Sequence, residues 1–430
     1  VAGLPDLPAR ITPQSVDSST KNEAVFAMVE FDLLDNVTLT AEGRYAEDTI
    51  HTGGRSVFSK SSNSGFVPGS FSSGCTVANT PIAGSPNRQT LTCANQYVDD
   101  TSFTNFLPRF TATWLASDTM TYYAQYAKGN KPGGFNADSE NARAQPADRA
   151  AIATLGLRSF EEEEADSYEI GFKSRLFDRR VQFNTALYLI DWTNQQLTQT
   201  SPVIEEGRPV GAPTPPQFAT SYIANLGRSK IRGIEMEMLA ALGSNWNLRM
   251  TYAYQDAKIK EHFSSDQADL IFDGPYAGCI AGSQCYADYL AAGDVSGNVL
   301  PRVPKHLASA SLSAHYPLGN WGTLTWRTDY SYEASRYIQV HNLAETGDAH
   351  VVNMRLGVER DAWSATLWVK NLTDDDTAVD VKRATYPAIF LVVPVQPPLP
   401  GTVSATNPRD FAVSLADRRM FGLTLAYRFR

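Results

Sequence analysis

Six times along this chain, an alternating apolar segment meets a second such segment across a turn of only a few residues. AVFAMVEFDLL passes through Asp35-Asn36 into VTLTAEGRYAED, and FLPRFTATWLA passes through Ser117-Asp118 into MTYYAQYAKGN. DSYEIGFKSRLF passes through Asp178-Arg179 into VQFNTALYLIDWTN, and IRGIEMEMLAAL passes through Gly243-Ser244 into WNLRMTYAYQDAK. HLASASLSAHYPL passes through Gly319-Asn320 into GTLTWRTDYSYEAS, and VVNMRLGVER passes through Asp361 into WSATLWVKNLTDD. A last segment, MFGLTLAYRFR, stands alone at the end. A period of two places successive side chains on opposite faces of a strand, and Asp, Asn and Gly supply the backbone geometry of tight hairpins.

One face of each segment is apolar and the other polar or small. Val181, Phe183, Leu187 and Leu189 oppose Gln182, Asn184 and Asn194. Trp246, Leu248, Met250, Tyr252 and Tyr254 oppose Asn247, Arg249, Thr251 and Gln255. Leu324, Trp326, Tyr330 and Tyr332 oppose Thr325, Arg327, Asp329 and Glu333. A single alternating run says little, but about 13 in series predict one large antiparallel sheet. The other set of connections is long: about 50–101, 131–162, 197–220, 261–302, 338–348 and 373–415, rich in Gly, Pro, Ser and Asn. Short turns at one rim and long loops at the other predict an all-β antiparallel transmembrane barrel. A secreted β-sandwich or solenoid is the alternative.

In a barrel the apolar face meets lipid, and Trp114, Tyr122, Tyr126, Trp246, Tyr316, Tyr332, Trp363 and Tyr427 would form interfacial girdles. Ordinary strand propensity also accounts for aromatics there. Glu42, Arg44, Glu169, Lys173, Arg175, Glu235, Glu237, Arg249, Arg327, Asp329, Arg355 and Lys370 are predicted to face the lumen. Arg or Lys facing lipid at mid-depth would cost about 2–4 kcal/mol. In the last segment Phe421, Leu423, Leu425, Tyr427 and Phe429 share the lipid face, with Gly422, Thr424, Ala426 and Arg428 opposite. Its edge needs a partner strand, because an open sheet edge cannot face hydrocarbon.

Lys and Arg number 37 against 46 Asp and Glu, a net charge of −9, with a pI near 5.3. That balance argues against a nucleic-acid binder. No apolar run reaches 18 residues, so no transmembrane helix is expected. The polar, Pro-rich opening residues do not read as a signal peptide, which leaves a mature chain or a piece of a longer one. The four cysteines fall in two local pairs, Cys75 with Cys93 and Cys279 with Cys285. Within long loops this spacing predicts disulfides in an oxidising compartment, with zinc as the weaker reading. No GxxxxGK[ST], HExxH or GxSxG occurs, so neither an enzyme nor a cofactor or metal site is indicated. The run Glu161 to Glu164 and the run Asp374 to Asp376 read as solvated loop ends rather than cation sites, and the sequons at Asn36 and Asn371 as chance.

Five stretches in order resemble the C-terminal barrel portion of TonB-dependent outer-membrane receptors. They are YYAQYAKGNKPGGFN (122–136), EEEEADSYEIGFKSRLFDRRVQFNTALYLIDWTNQQ (161–196), NLGRSKIRGIEMEM (225–238), LPRVPKHLASASL (300–312) and VKNLTDD (369–375). The terminal strand is also similar to the recognition signal of outer-membrane proteins, except that Arg430 follows the final aromatic. The resemblance implies a bacterial outer-membrane barrel of about 22 strands around a plug domain. Ligand uptake would be driven by the TonB complex through that plug. Residues 1–430 then read as roughly the last 13 strands. The plug and early strands would lie elsewhere, in the same gene product or on a second chain.

Ligand capture is expected at the long-loop rim. KGNKPGGFN offers Lys131 and Phe135 on a glycine-rich turn, and FDGPYAGCIAGSQCYADYL offers Tyr276, Tyr286 and Tyr289 around a small cysteine ring. Rigid tyrosines suit a sugar or an aryl chelate, although loop self-packing would use them as well. The resemblance makes a ferric siderophore the default cargo, with a glycan or cobalamin as alternatives. A passive, porin-like or structural barrel is the reading outside that class.

Overall fold

The computed structural model describes residues 10–11, 15–62, 75–136, 159–200, 221–225, 227–264, 267–268, 284–385 and 409–429. Thirteen long strands follow one another in chain order. They are β1 (Ser15–Leu34), β2 (Val37–Ser62), β3 (Gln89–Ser117), β4 (Met120–Lys131), β5 (Glu163–Leu176), β6 (Val181–Thr193) and β7 (Arg228–Leu242). They continue as β8 (Trp246–Glu261), β9 (His306–Pro317), β10 (Thr323–Glu333), β11 (Ala349–Arg360), β12 (Trp363–Lys370) and β13 (Met420–Tyr427). Each pairs antiparallel with the next, and Arg10–Ile11 and Cys75–Asn79 add to the same sheet, making it 15-stranded.

The short turns fall where the sequence places them. Gly243 (φ 78°) and Asp361 (φ 48°) take the left-handed conformation that tight hairpins need. The β5–β6 turn differs: it spans 177–180, with Phe177, Asp178 and Arg179 all at positive φ. Arg180 N closes it by donating to Phe177 O at 3.0 Å. Three non-glycine residues in this region cost roughly 1–2 kcal/mol each, which the flanking ladders must offset.

Register fixes the two faces. Leu423 lies opposite Leu367, Leu367 opposite Leu356, and Leu356 opposite Trp326, which continues the row to Ala314 and Trp246. The apolar row is uncovered: Leu423 is 58% and Leu425 71% exposed. A contiguous apolar wall of this extent needs a nonaqueous surrounding. The same registers put all twelve charged residues expected in the lumen on the opposite face. Glycines there admit aromatic rings: a Cβ at Gly171 would collide with Tyr123, and one at Gly233 with Tyr188.

Outward aromatics gather at two levels. Trp114 stacks on Tyr122 at 5.3 Å near the short turns, where Trp246 packs against Tyr316 and Trp326. Near the long loops Tyr126 meets Tyr168 at 5.2 Å, Tyr254 meets His306 at 5.2 Å, and Tyr332 meets His350 at 4.8 Å.

The long connections carry more structure than expected. The span 50–101 is not all loop: β2 runs to Ser62 and β3 starts at Gln89. Here hydroxyls, not an apolar face, join the strands: Ser59 to Thr92 at 3.1 Å and Ser61 to Thr90 at 2.9 Å. Without a hydrophobic period this pairing gives no sequence signal. Likewise Gln196–Thr200 pairs with Ser221–Asn225, and Ala378–Thr385 with Arg409–Leu415. The span 261–302 contains a helix, α1 (Gln284–Ala292).

Candidate functional site at the long-loop rim

Side-chain amides tie four strand tops together at this rim. Glycines 133 and 134 let the chain leaving β4 pass close to Phe103 and Phe160, where any Cβ would collide. Beyond them Asn136 is buried, its Nδ2 donating to Ile223 O at 2.8 Å while Ile223 N donates to its Oδ1 at 2.7 Å. Gln196 Nε2 donates to Pro132 O at 2.8 Å and to Glu161 O at 3.1 Å. Asn225 receives Glu161 N at 2.6 Å and donates back to Glu161 O at 2.8 Å. Amides suit this task because each carries both donor and acceptor and can replace a missing strand partner.

The glutamate run belongs to this knot, so the expectation of a merely solvated loop end is corrected. Glu162 accepts from Asn105 Nδ2 at 2.6 Å, Glu163 from Gln196 N at 2.8 Å, and Glu164 pairs with Lys128 at 2.8 Å. The aspartate run is corrected in the same way. Asp374 accepts from Arg419 N at 3.0 Å, Asp375 from His350 N at 2.6 Å, and Asp376 pairs with Arg418 at 2.8 Å. Asn371 is buried, and its Nδ2 donates to Asp375 O and Asp417 O, both at 2.8 Å. That sequon amide is therefore committed to the fold.

Beside the knot, α1 closes a small core. Tyr289 is 2% exposed, against Ala268 and the ring of Phe263 at 5.9 Å. Tyr289 thus packs the loop and offers no face to a ligand, which corrects its place among the candidates. A second cluster joins Ala257, Ile259, Val295 and Leu300. It is locked to 338–348 by Asn342, which exchanges two hydrogen bonds with Val299 at 2.7 and 2.9 Å. His262 is buried between these clusters and its Nδ1 has no hydrogen-bond partner. Burial, with the neighbouring charge of His341, pushes its pKa from 6.5 down to about 4.

Of the other expected ligand residues, Lys131 is exposed on the top of β4 and Phe135 is half-buried beside Ser159. Tyr286 belongs to α1. Tyr276 and Cys279 lie outside the described residues. Cys75 stands opposite Cys93 in the register. Neither Cys75 nor Cys285 is a free thiol. Sequence reasoning missed Asn105, Asn136, Gln196 and Asn225. Their only signal is a run of amides at strand tops, as in TNQQ.

Below the rim the lumen wall alternates in sign. Arg109 meets Glu42 at 3.3 Å, Arg249 meets Glu237 at 2.9 Å and Arg327 meets Asp329 at 2.7 Å. Such exposed pairs contribute little stability, about 0–1 kcal/mol each. They leave a polar wall without a strong field of one sign. Among the described residues no group of three or more His, Cys, Asp or Glu is arranged to hold a metal ion. A depression of about 850 Å³ lies on the other face, among Phe110, Ala112, Ala124, Tyr168 and Leu187. It is apolar and outward, so it has no bearing on lumen chemistry.

A family described as TonB dependent receptor-like, beta-barrel, matches residues 2–372. A probable TonB-dependent siderophore receptor of Acinetobacter baumannii, PiuA, is 24% identical over 197 residues, 46% of this chain and 21% of that protein. Among solved structures, the ferric yersiniabactin uptake receptor FyuA of Yersinia pestis superposes with a TM-score of 0.61 at 14% identity. It covers 97% of this chain and 47% of its own. The ferric-catecholate import receptor Fiu of E. coli gives 0.52 at 19% identity, over 96% and 45%. At these identities the likeness shows the fold. The chain spans about half the length of these solved neighbours and about a fifth of the curated relative.

Proposed function

We propose that this chain, which belongs to the TonB dependent receptor-like β-barrel family, an outer-membrane family of transport receptors rather than enzymes, captures a ferric siderophore at the long-loop rim and passes it inward with energy from TonB. The observation that carries this reading is the amide knot. Three of the stretches that carry the family resemblance, 122–136, 161–196 and 225–238, converge in it. A rigid rim over a polar lumen suits a receptor that must hold a solute before releasing it downward. Relatives whose names specify siderophore or ferric-chelate uptake support the choice of cargo.

In this reading Lys131 supplies a cation for an anionic chelate, and Phe135, Tyr276 and Tyr286 supply flat faces for its aryl or alkyl arms. A plug domain outside this chain fills the lumen and carries the contact to TonB, and further barrel strands complete the wall. Local disulfides, Cys75–Cys93 and Cys279–Cys285, stiffen two of the loops.

The test is uptake of radioactive iron by cells expressing the full-length receptor, offered as tris-catecholate and hydroxamate chelates. Uptake abolished by a protonophore, and lowered several-fold by Lys131→Glu, supports the proposal. Energy-independent leakage of unrelated solutes indicates a passive pore. Energised uptake of cobalamin or an oligosaccharide, with none of iron, keeps the receptor and changes the cargo.

A further inference from the structure

Lys230 on β7 and Lys258 on β8 stand directly opposite each other in the register. Both are exposed and on the outward face, which they share with Arg232, Ile234 and Tyr254. Like charges directly across an antiparallel pair are destabilising, and among the described residues the carboxylate nearest in register is Asp191, which faces Lys230 but not Lys258. Asp191, opposite Lys230 on β6, is held by Arg228, whose Nε donates to it at 2.9 Å. Asp256 is held by Arg232 at 2.8 and 3.0 Å. Farther along, Asp166 accepts from Tyr126 at 2.6 Å and Glu164 pairs with Lys128 at 2.8 Å. Exposed Lys260 extends the row, Glu261 lies opposite Arg228, and Lys305 lies over the Tyr254 ring at 5.8 Å. Among the described residues the patch therefore keeps a surplus of positive charge after its internal ion pairs are made.

Its level on the wall narrows the ligand. Immediately below lies the outward aromatic row of Tyr254, His306, Tyr332 and His350. Aromatic belts of this kind sit at headgroup depth. The cations just above them are placed among headgroups, not in hydrocarbon and not in open water. One strand away, Leu187 and Leu189 begin the apolar depression of about 850 Å³, in which Ala112 and Ala124 lie among the larger Phe110, Tyr126 and Tyr168. Small side chains among larger ones make this depression an apolar trough in the outward wall.

We infer that Lys230 and Lys258, flanked by Lys260 and Lys305, bind the anionic headgroup of a membrane lipid, whose acyl chain occupies the neighbouring trough. The inference rests only on which face meets lipid, and it is independent of the cargo. A bound phosphate would cancel the repulsion across β7 and β8 and fasten the two strands at the point where the long loop 262–302 leaves the wall.

The test is native mass spectrometry of the full-length receptor in detergent micelles doped with phosphatidylglycerol or phosphatidylcholine. Retention of phosphatidylglycerol over phosphatidylcholine is expected in the wild type. The double variant K230Q/K258Q should lower it at least tenfold, and K230R/K258R should restore it. The distal variant K21Q should leave it unchanged. Unaltered heat-modifiable migration of K230Q/K258Q shows that its barrel is intact; if that variant misfolds, Ala112→Trp, which fills the trough, gives the same reading through lost retention. Equal retention of both lipids by the wild type, or retention untouched in the folded variants, overturns the inference. So does displacement of the lipid by millimolar inorganic phosphate, which would mark a site for free anions.

Discussion

His262 is an imidazole kept neutral by its surroundings. Its pKa of about 4 in the folded chain compares with 6.5 for the free side chain. As pH falls below 6.5 the unfolded loop takes up a proton that the folded loop refuses. The stabilising contribution is therefore complete above pH 6.5 and is lost progressively down to about pH 4, at up to about 1.4 kcal/mol per pH unit. The exchange protection of 257–264 and 293–300, taken relative to the intrinsic exchange rate at each pH, should fall between pH 7 and pH 5, and His262→Phe should flatten that response. An unchanged response in the variant would remove His262 from the account. Asn136 is a second single-residue device. Asn136→Ala leaves the N–H and C=O of Ile223 without these partners, a loss of about 1–3 kcal/mol. The expected readout is faster exchange at 221–225 and weaker capture of cargo, with the barrel's unfolding midpoint little moved.

At the scale of elements, the strands were legible because lipid enforces a strict period of two. Any apolar-to-polar slip on β7 or β8 would put Arg249 or Glu237 into hydrocarbon. The turns were legible because Gly243 and Asp361 supply rare backbone geometry. The far ends of β2 and β3 were not legible, since Ser59, Ser61, Thr90 and Thr92 hold them with hydroxyls rather than with an apolar face. Nor was the rim knot, because Asn136 and Gln196 satisfy backbone groups 87 and 64 residues away in sequence. The disulfides belong to this scale too. Non-reducing peptide mapping should recover Cys75 with Cys93 and Cys279 with Cys285. A crossed pair would require two long loops to fold over one another and would refute the loop assignment.

At the scale of the whole molecule, the wall has two faces and two open sides. Among the described residues β1 pairs only with β2, and β13 only with β12. Unpaired edges in lipid cost several kcal/mol per backbone group. Residues 1–430 refolded alone in detergent should therefore not give a compact, heat-modifiable species, whereas strands that cap both edges should restore one. Every element of the reading, from girdles to rim, depends on which face meets lipid. The direct test is a spin-label scan of the full-length receptor in bilayers, with outward sites at Leu39, Leu187, Met250, Leu367 and Leu423. Inward sites at Thr40, Ala186, Thr251, Thr366 and Thr424 complete the scan. Oxygen, which partitions into lipid, should relax every outward label, and a water-soluble nickel chelate should not reach them. The inward labels should be shielded from lipid-borne oxygen. Loss of that alternation, or its reversal, would contradict the barrel wall described here.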